Sequence, residues 1–234
     1  MFDWLIPFYN FRVVAEYLGA FVDGFLLTLW VSGLSLTIAL SLGLVIAVLR
    51  ARNIKVIGSA LAGFVECVRS TPLLIQLYLL YFSLGAVPGF RSLTALEAGI
   101  SALGLNQAAY FSETIRAGIL SISKGQLEAS RALGMSSKQS LFLVVLPQVW
   151  RKILPTLVGQ SALLIEDSAI VSFIGVVDLT GVGLRLMSER LMPNEGFLTV
   201  AGGYLLVYGL ASIILRFVGG RTTYRSTGSE HGSF

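Results

Sequence analysis

The sequence has 234 residues, of which 55% are hydrophobic and only 13% charged, with a mean hydropathy of +0.79 and a net charge of +4. Soluble domains carry about 25% charged residues, so a water-solvated globule is excluded in favour of a chain whose solvent is the bilayer. One cysteine, Cys67, excludes an internal disulfide. One His231 excludes a histidine-based metal cluster, and no nucleotide-binding glycine loop, nucleophile elbow or metal-ligand spacing is present. The chain therefore reads as non-catalytic by itself, with no cofactor and no nucleic-acid partner expected.

The chain opens with Asp3, Glu16 and Asp23 and only Arg12 as a base, which argues against a cleaved signal peptide. Gly24 to Leu49 is 26 residues without a charge, and a span needs about 20. Within it Gly33, Thr37 and Ser41 form one row of small residues, and Ser35, Ala39 and Gly43 form another. Rows of this spacing permit close helix contact. A short basic loop follows, with Arg50, Arg52 and Lys55. The second apolar region, 57–87, is broken by Glu66, Arg69 and Thr71-Pro72, which predicts one kinked span. Glu66 and Arg69, three apart, are spaced to pair on a helix. Thr71 and Gln76 lie where an interrupted helix would border a substrate path.

Gly85 to Glu97 reads as a turn-rich connector. The third span, 96–119, is punctuated by Asn106, Gln107, Tyr110, Glu113 and Arg116. Polar groups at membrane depth are costly and face protein or a water-filled cavity. Spacings of three and four let one face carry Asn106, Gln107, Tyr110 and Glu113. Glu113 and Arg116 also fit an ion pair near the membrane edge.

Residues 121–147 form the most polar long segment, holding Lys124, Glu128, Arg131 and Lys138. Gln126, Leu127, Glu128, Ala129, Ser130, Arg131, Ala132 and Leu133 are good helix formers. Gly125 suits the start and Gly134 the C-terminal turn. The segment predicts a two-turn helix outside the membrane, with Pro147 marking an interruption in the next element. A fourth span, 153–176, starts near Ile153 with Pro155 in its first turn. It carries Gln160, Glu166, Asp167 and Ser168. Glu166 sits about 20 Å along the axis from Lys152, and adjacent acids that deep need partners, water or a cationic ligand. Asp178 to Glu195 reads as a polar connector and 196–216 as the fifth span. The tail beyond Tyr224 has the composition of a disordered segment.

Three motifs carry a resemblance. Glu128-Ala129-Ser130, three residues, Gly134, nine residues and Val144-Val145-Leu146-Pro147 resembles the cytoplasmic loop signature of ABC importer permeases. Ser130 stands for that signature's second Ala and Val144 for its Ile. Arg69-Ser70-Thr71-Pro72-Leu73-Leu74-Ile75-Gln76-Leu77 resembles a motif of the polar amino acid subfamily, with Ser70 in place of Gly. Leu164-Ile165-Glu166-Asp167-Ser168-Ala169-Ile170-Val171-Ser172 resembles a third motif, in which Glu166 replaces a usual Lys and reverses a charge.

The resemblance implies an all-α integral membrane permease with the type I importer fold, one transmembrane domain over 1–234 with five spans. It implies a homo- or heterodimer of permeases, an ABC ATP-binding subunit that holds ATP and Mg, and a solute-binding protein outside. Gly125 to Gly134 would be the coupling helix, with Leu127 and Leu133 as anchors and Glu128 and Arg131 as polar contacts. Polar amino acids or derivatives such as opines would pass Thr71, Gln76, Asn106, Tyr110, Glu113, Gln160, Glu166, Asp167 and Ser168.

The basic residues give an orientation without the resemblance. With the 121–147 loop in the cytoplasm, Arg50, Arg52, Lys55, Arg116, Lys124, Arg131, Lys138, Arg151, Lys152, Arg216, Arg221 and Arg225 lie inside. Only Arg12, Arg91, Arg185 and Arg190 lie outside, with Arg69 unassigned. The positive-inside rule then predicts an N-terminus outside and a C-terminus in the cytoplasm, and the resemblance implies that the membrane is a bacterial inner membrane. The competing class is a stand-alone secondary transporter or channel, with Glu66, Glu113, Glu166 and Asp167 as a proton or cation relay. It leaves the 121–147 loop unexplained, and no internal repeat is visible.

Overall fold

A computed structural model describes residues 9–52 and 55–219. The expected disorder beyond Tyr224 lies outside the described residues. Among those described there is no strand; the chain is a series of helices. They are α1 (Phe11–Glu16), α2 (Leu18–Ala51), α3 (Lys55–Arg69), α4 (Leu73–Tyr78), α5 (Ala95–Leu120), α6 (Lys124–Ala132), α7 (Ser137–Gln139), α8 (Leu146–Asp167), α9 (Leu179–Arg190) and α10 (Pro193–Gly219). Single π or 3-10 turns cover Leu79–Ser83, Leu84–Ala86, Ser140–Val145 and Ser168–Ile174.

The central packing is α2 on α5. Of the two small-residue rows on α2, Ser35, Ala39 and Gly43 are buried, while Gly33, Thr37 and Ser41 are exposed. A Cβ on Gly43 would stand 2.9 Å from the Phe111 Cβ and 3.1 Å from the Ala108 carbonyl oxygen, so only glycine allows this approach. Around the seam, Ala39, Ala47, Phe111, Ile115, Val149 and Ile153 form one apolar cluster. Val31, Leu77, Ala102, Leu103 and Val171 form another. The opposite side of α2 leaves Leu26, Trp30, Leu34, Leu42 and Val45 exposed, an apolar surface suited to lipid.

By length and composition, α2 (34 residues) and the run Ser137–Ile174 (38 residues) can cross a membrane. The run 57–87, expected as one kinked span, holds two helices meeting at 106°. Pro72, extended at φ −60° and ψ 136°, has no N–H to continue the ladder. The carbonyls this frees are taken up by side chains: the Gln76 amide donates to Val68 O at 2.7 Å, and the Thr71 hydroxyl to Cys67 O at 3.0 Å. The expected Glu66–Arg69 pair does not form. The Arg69 guanidinium instead lies over the Tyr110 ring, 5.2 Å from its centroid, a cation–π contact.

The span expected over 153–176 belongs to a longer helical run. Its helix starts at Ser137, where Ser136 and Gln139 close a capping box, and continues through a π turn over Ser140–Val145 into α8. Pro147 follows this π turn, a break that accommodates its missing N–H, and Pro155 lies inside α8 rather than in its first turn. The connector expected over 178–195 is largely the helix α9. Buried Asp178 caps it by accepting from Gly181 N at 2.9 Å. The Thr28 hydroxyl reaches Asp178 Oδ2 at 3.4 Å and accepts from Leu179 N at 3.1 Å. One end of α9 is thereby fixed to α2.

Candidate functional site

Two features carry the functional chemistry. The first is a polar cavity of about 460 Å³ where the broken run meets α5 and α8. The bend contributes Arg69, Ser70, Thr71, Pro72 and Leu73; α5 contributes Asn106, Gln107 and Tyr110; α8 contributes Gln160, Leu163 and Asp167. Irregular backbone at membrane depth is tolerated where it is covered by protein or lines such a cavity. The walls are held by hydrogen bonds. Asn106 Nδ2 donates to Gln76 Oε1 at 3.2 Å, and the Gln76 amide donates to the Thr71 hydroxyl at 2.8 Å. Across the cavity, Gln107 donates to Gln160 O at 3.3 Å, and the Gln160 amide to the Thr114 hydroxyl at 3.1 Å.

Of the nine residues expected along a substrate path, Thr71, Asn106, Tyr110, Gln160 and Asp167 line this cavity, and Gln76 supports it from behind. Glu113 is elsewhere: it accepts from Arg50 and, at 3.0 Å, from Arg116, joining α2 to α5. Ser168 is fully buried and donates to Ile165 O at 2.6 Å. Glu166 faces a separate opening with Ala169, Ala201, Tyr204, Leu205 and Tyr208. The neighbouring acids thus serve different surfaces, because consecutive helical residues project about 100° apart. Arg69, spaced in the sequence to pair with Glu66, supplies the cavity's cation. Gln107, one position from Asn106 in the same polar row, supplies a further amide beside those of Asn106 and Gln160.

The second feature is α6 with its flanks. Gly134 adopts φ +76°. Gly134 N donates to Arg131 O at 2.9 Å and Met135 N to Ser130 O at 3.1 Å, the paired bonds of a Schellman motif that needs a left-handed residue at this position. Gly125, Gln126, Glu128, Ala129, Arg131, Ala132 and Leu133 are exposed, Leu133 by 81%. The Leu127 side chain lies outside those described. Among the described side chains of this stretch, Ser130 alone is buried, at 3%, with its hydroxyl 2.6 Å from that of Ser140. The Gln148 amide donates to Gln126 at 3.0 Å. The short helix is therefore fastened to the π turn and to α8 while its outer face stays free.

Comparison with known proteins agrees with this architecture. Residues 39–223 match the family described as binding-protein-dependent transport system inner membrane component. The nopaline transport system permease of Agrobacterium fabrum is 35% identical over 188 residues, 77% of this chain and 78% of the relative. A probable glutamine ABC transporter permease of Bacillus subtilis is 37% identical over 164 residues, 70% of this chain and 74% of the relative. Among solved structures, an amino acid ABC transporter crystallised with histidines superposes with a TM-score of 0.82 at 35% identity, covering 91% of this chain and 98% of that one. The MetNI methionine ABC transporter shares the fold, with a TM-score of 0.71 at 22% identity. The chain has no catalytic role of its own in such a system, and it belongs to the family of inner-membrane permease subunits of ABC importers.

Proposed function

We propose that this permease admits polar amino acids or amino-acid derivatives such as opines through the cavity between the 106° bend, α5 and α8. The observation that carries the reading is that one cavity is lined by both Arg69, from the bend, and Asp167, from α8, beside the amides of Asn106, Gln107 and Gln160 and the hydroxyls of Ser70, Thr71 and Tyr110. A guanidinium suits an α-carboxylate and a carboxylate suits an α-ammonium. The relatives named for nopaline and glutamine transport support the same substrate class. Asp167, rather than Glu166, is the acid of this path.

Five spans follow if α2, the bent run, α5, the run from Ser137 to Ile174 and α10 each cross. The 26 residues of α5 reach about 39 Å at 1.5 Å per residue, and α10 is one residue longer. The excess of Arg and Lys beside α6 supports its placement in the cytoplasm with the C-terminus, and the N-terminus outside. There the exposed face of α6 meets a groove on an ATP-binding subunit that holds ATP and Mg. A packed helix moves as a unit, so its shift reaches α8 through Ser140 and Gln148. A second permease chain, identical or related, completes the pathway, and a solute-binding protein delivers the ligand.

Uptake by the transporter reconstituted in proteoliposomes, with a panel of labelled amino acids and opines, tests the substrate class. Saturable, ATP-dependent uptake of a member of the panel, weakened by Asp167→Asn, is expected. Uptake of none of them, or indifference to Asp167→Asn, contradicts the proposed path.

A further inference from the structure

A cavity of about 240 Å³ opens between the C-terminal end of α2, the end of α5, α6 and the start of the long helix. Two guanidiniums line it, Arg52 and Arg131, together with the hydroxyl residues Ser137 and Ser140 and the apolar walls Val48, Ile119, Leu141 and Val145. Neither arginine has an acidic partner among the described residues. Glu113, on the last turns of α5, is already engaged by Arg50 and Arg116. Ser137 is also the first residue of the helix that runs 38 residues to Ile174, so the positive end of its dipole adds to the arginines.

From this juxtaposition we propose that the cavity binds the headgroup of an anionic phospholipid of the cytoplasmic leaflet. Its phosphate is held between Arg52 and Arg131, and its acyl chains leave along the apolar wall. Two unpaired guanidiniums beside the amino end of a helix select an anion. The apolar wall selects one that carries hydrocarbon, and a basic pocket between spans at the cytoplasmic edge is where such headgroups bind. Arg131 belongs to α6 and Arg52 to the end of α2, so the lipid would bridge the coupling helix to the central packed pair. The inference rests on the cytoplasmic placement of α6 proposed above.

The test uses the purified transporter with its ATP-binding subunit, in mild detergent, supplied with equal phosphatidylglycerol and phosphatidylcholine of identical acyl chains. Lipid retained by the complex is read by native mass spectrometry. The wild type retains phosphatidylglycerol in preference, and Arg52→Gln cuts that preference about fivefold, the factor expected for one basic residue. Arg131→Gln does the same, both together return it to parity, and Arg151→Gln, an exposed arginine off this cavity, leaves it unchanged. Equal retention of the two lipids by wild type overturns the proposal, as does an equal drop with Arg151→Gln. Displacement of the lipid by millimolar inorganic phosphate would assign the site to a free anion and overturn the lipid. Failure of the ATP-binding subunit to co-purify with wild type would instead indict the placement of α6.

Discussion

The hydroxyl of Ser130 on α6 and that of Ser140 in the π turn lie 2.6 Å apart, both buried. The family signature carries Ala at the first of these positions, so the contact is a local addition that stiffens a joint through which motion must pass. Ser130→Ala or Ser140→Ala removes this hydrogen bond and costs about 1 kcal/mol. The double variant restores an apolar match and costs less than the two singles combined. Thermal unfolding of the four proteins in one detergent measures the cycle; strict additivity would mean the hydroxyls do not interact.

Gly134 sets the other boundary of the coupling helix. At φ +76° a side chain such as that of Asp adds about 1 kcal/mol of local strain, and Asn, which tolerates this region better, adds less. Gly134→Asp is expected to keep ATP hydrolysis while losing most of the uptake, and Gly134→Asn to retain more. Parallel hydrolysis and uptake assays in proteoliposomes decide. Full uptake by Gly134→Asp removes the turn from the coupling route.

The acids at 166 and 167 separate by function. Asp167→Asn should raise the KM for uptake about tenfold or more, the loss expected when a charged hydrogen-bond partner becomes neutral. Glu166→Gln, on the opening with Tyr204 and Tyr208, should leave KM within about twofold. Equal effects would show that the cavity is not the path.

How much of this was legible in the sequence depended on the kind of signal. Gly134 announced its own turn, because a positive φ favours one residue type. The charge-free run ahead of Arg50 marked α2, because apolar length is a direct readout of the bilayer. The 106° bend was not legible. Thr71-Pro72 signals a break, but its angle is held by Gln76, which reaches back from α4 to Val68 O, and by Asn106, which reaches Gln76 from α5. The same holds for α9: a hydropathy reading sees a polar connector, whereas the cap at Asp178 and its bond to Thr28 make it a helix. Glu113 was assigned to a path because its spacing matched Tyr110. Arg50, 63 residues earlier, claims it instead.

On the surface proposed to lie outside the membrane, Glu189 accepts from the Tyr17 hydroxyl at 2.6 Å and from Arg185 at 2.7 Å. These bonds, the tyrosine's first, hold its carboxyl below the usual carboxylate range. A lowered folded pKa adds stability above the unfolded pKa, and this is lost as pH falls through the folded value. The Tm of wild type should exceed that of Glu189→Gln at neutral pH, and the gap should close below the usual carboxylate range. A gap that persists unchanged in acid would show that the carboxylate charge is not its source.

Coupling to the ATP-binding subunit runs through the proposed docking face of α6, where Glu128 is exposed. The direct test is a pull-down of the tagged chain from its native membranes in mild detergent, comparing wild type with Glu128→Lys. An ATP-binding subunit is expected to be recovered with wild type and lost with the variant. Recovery undiminished by Glu128→Lys would move the docking contact off this face, and no ATP-binding subunit with either protein would contradict the coupling role of α6 outright.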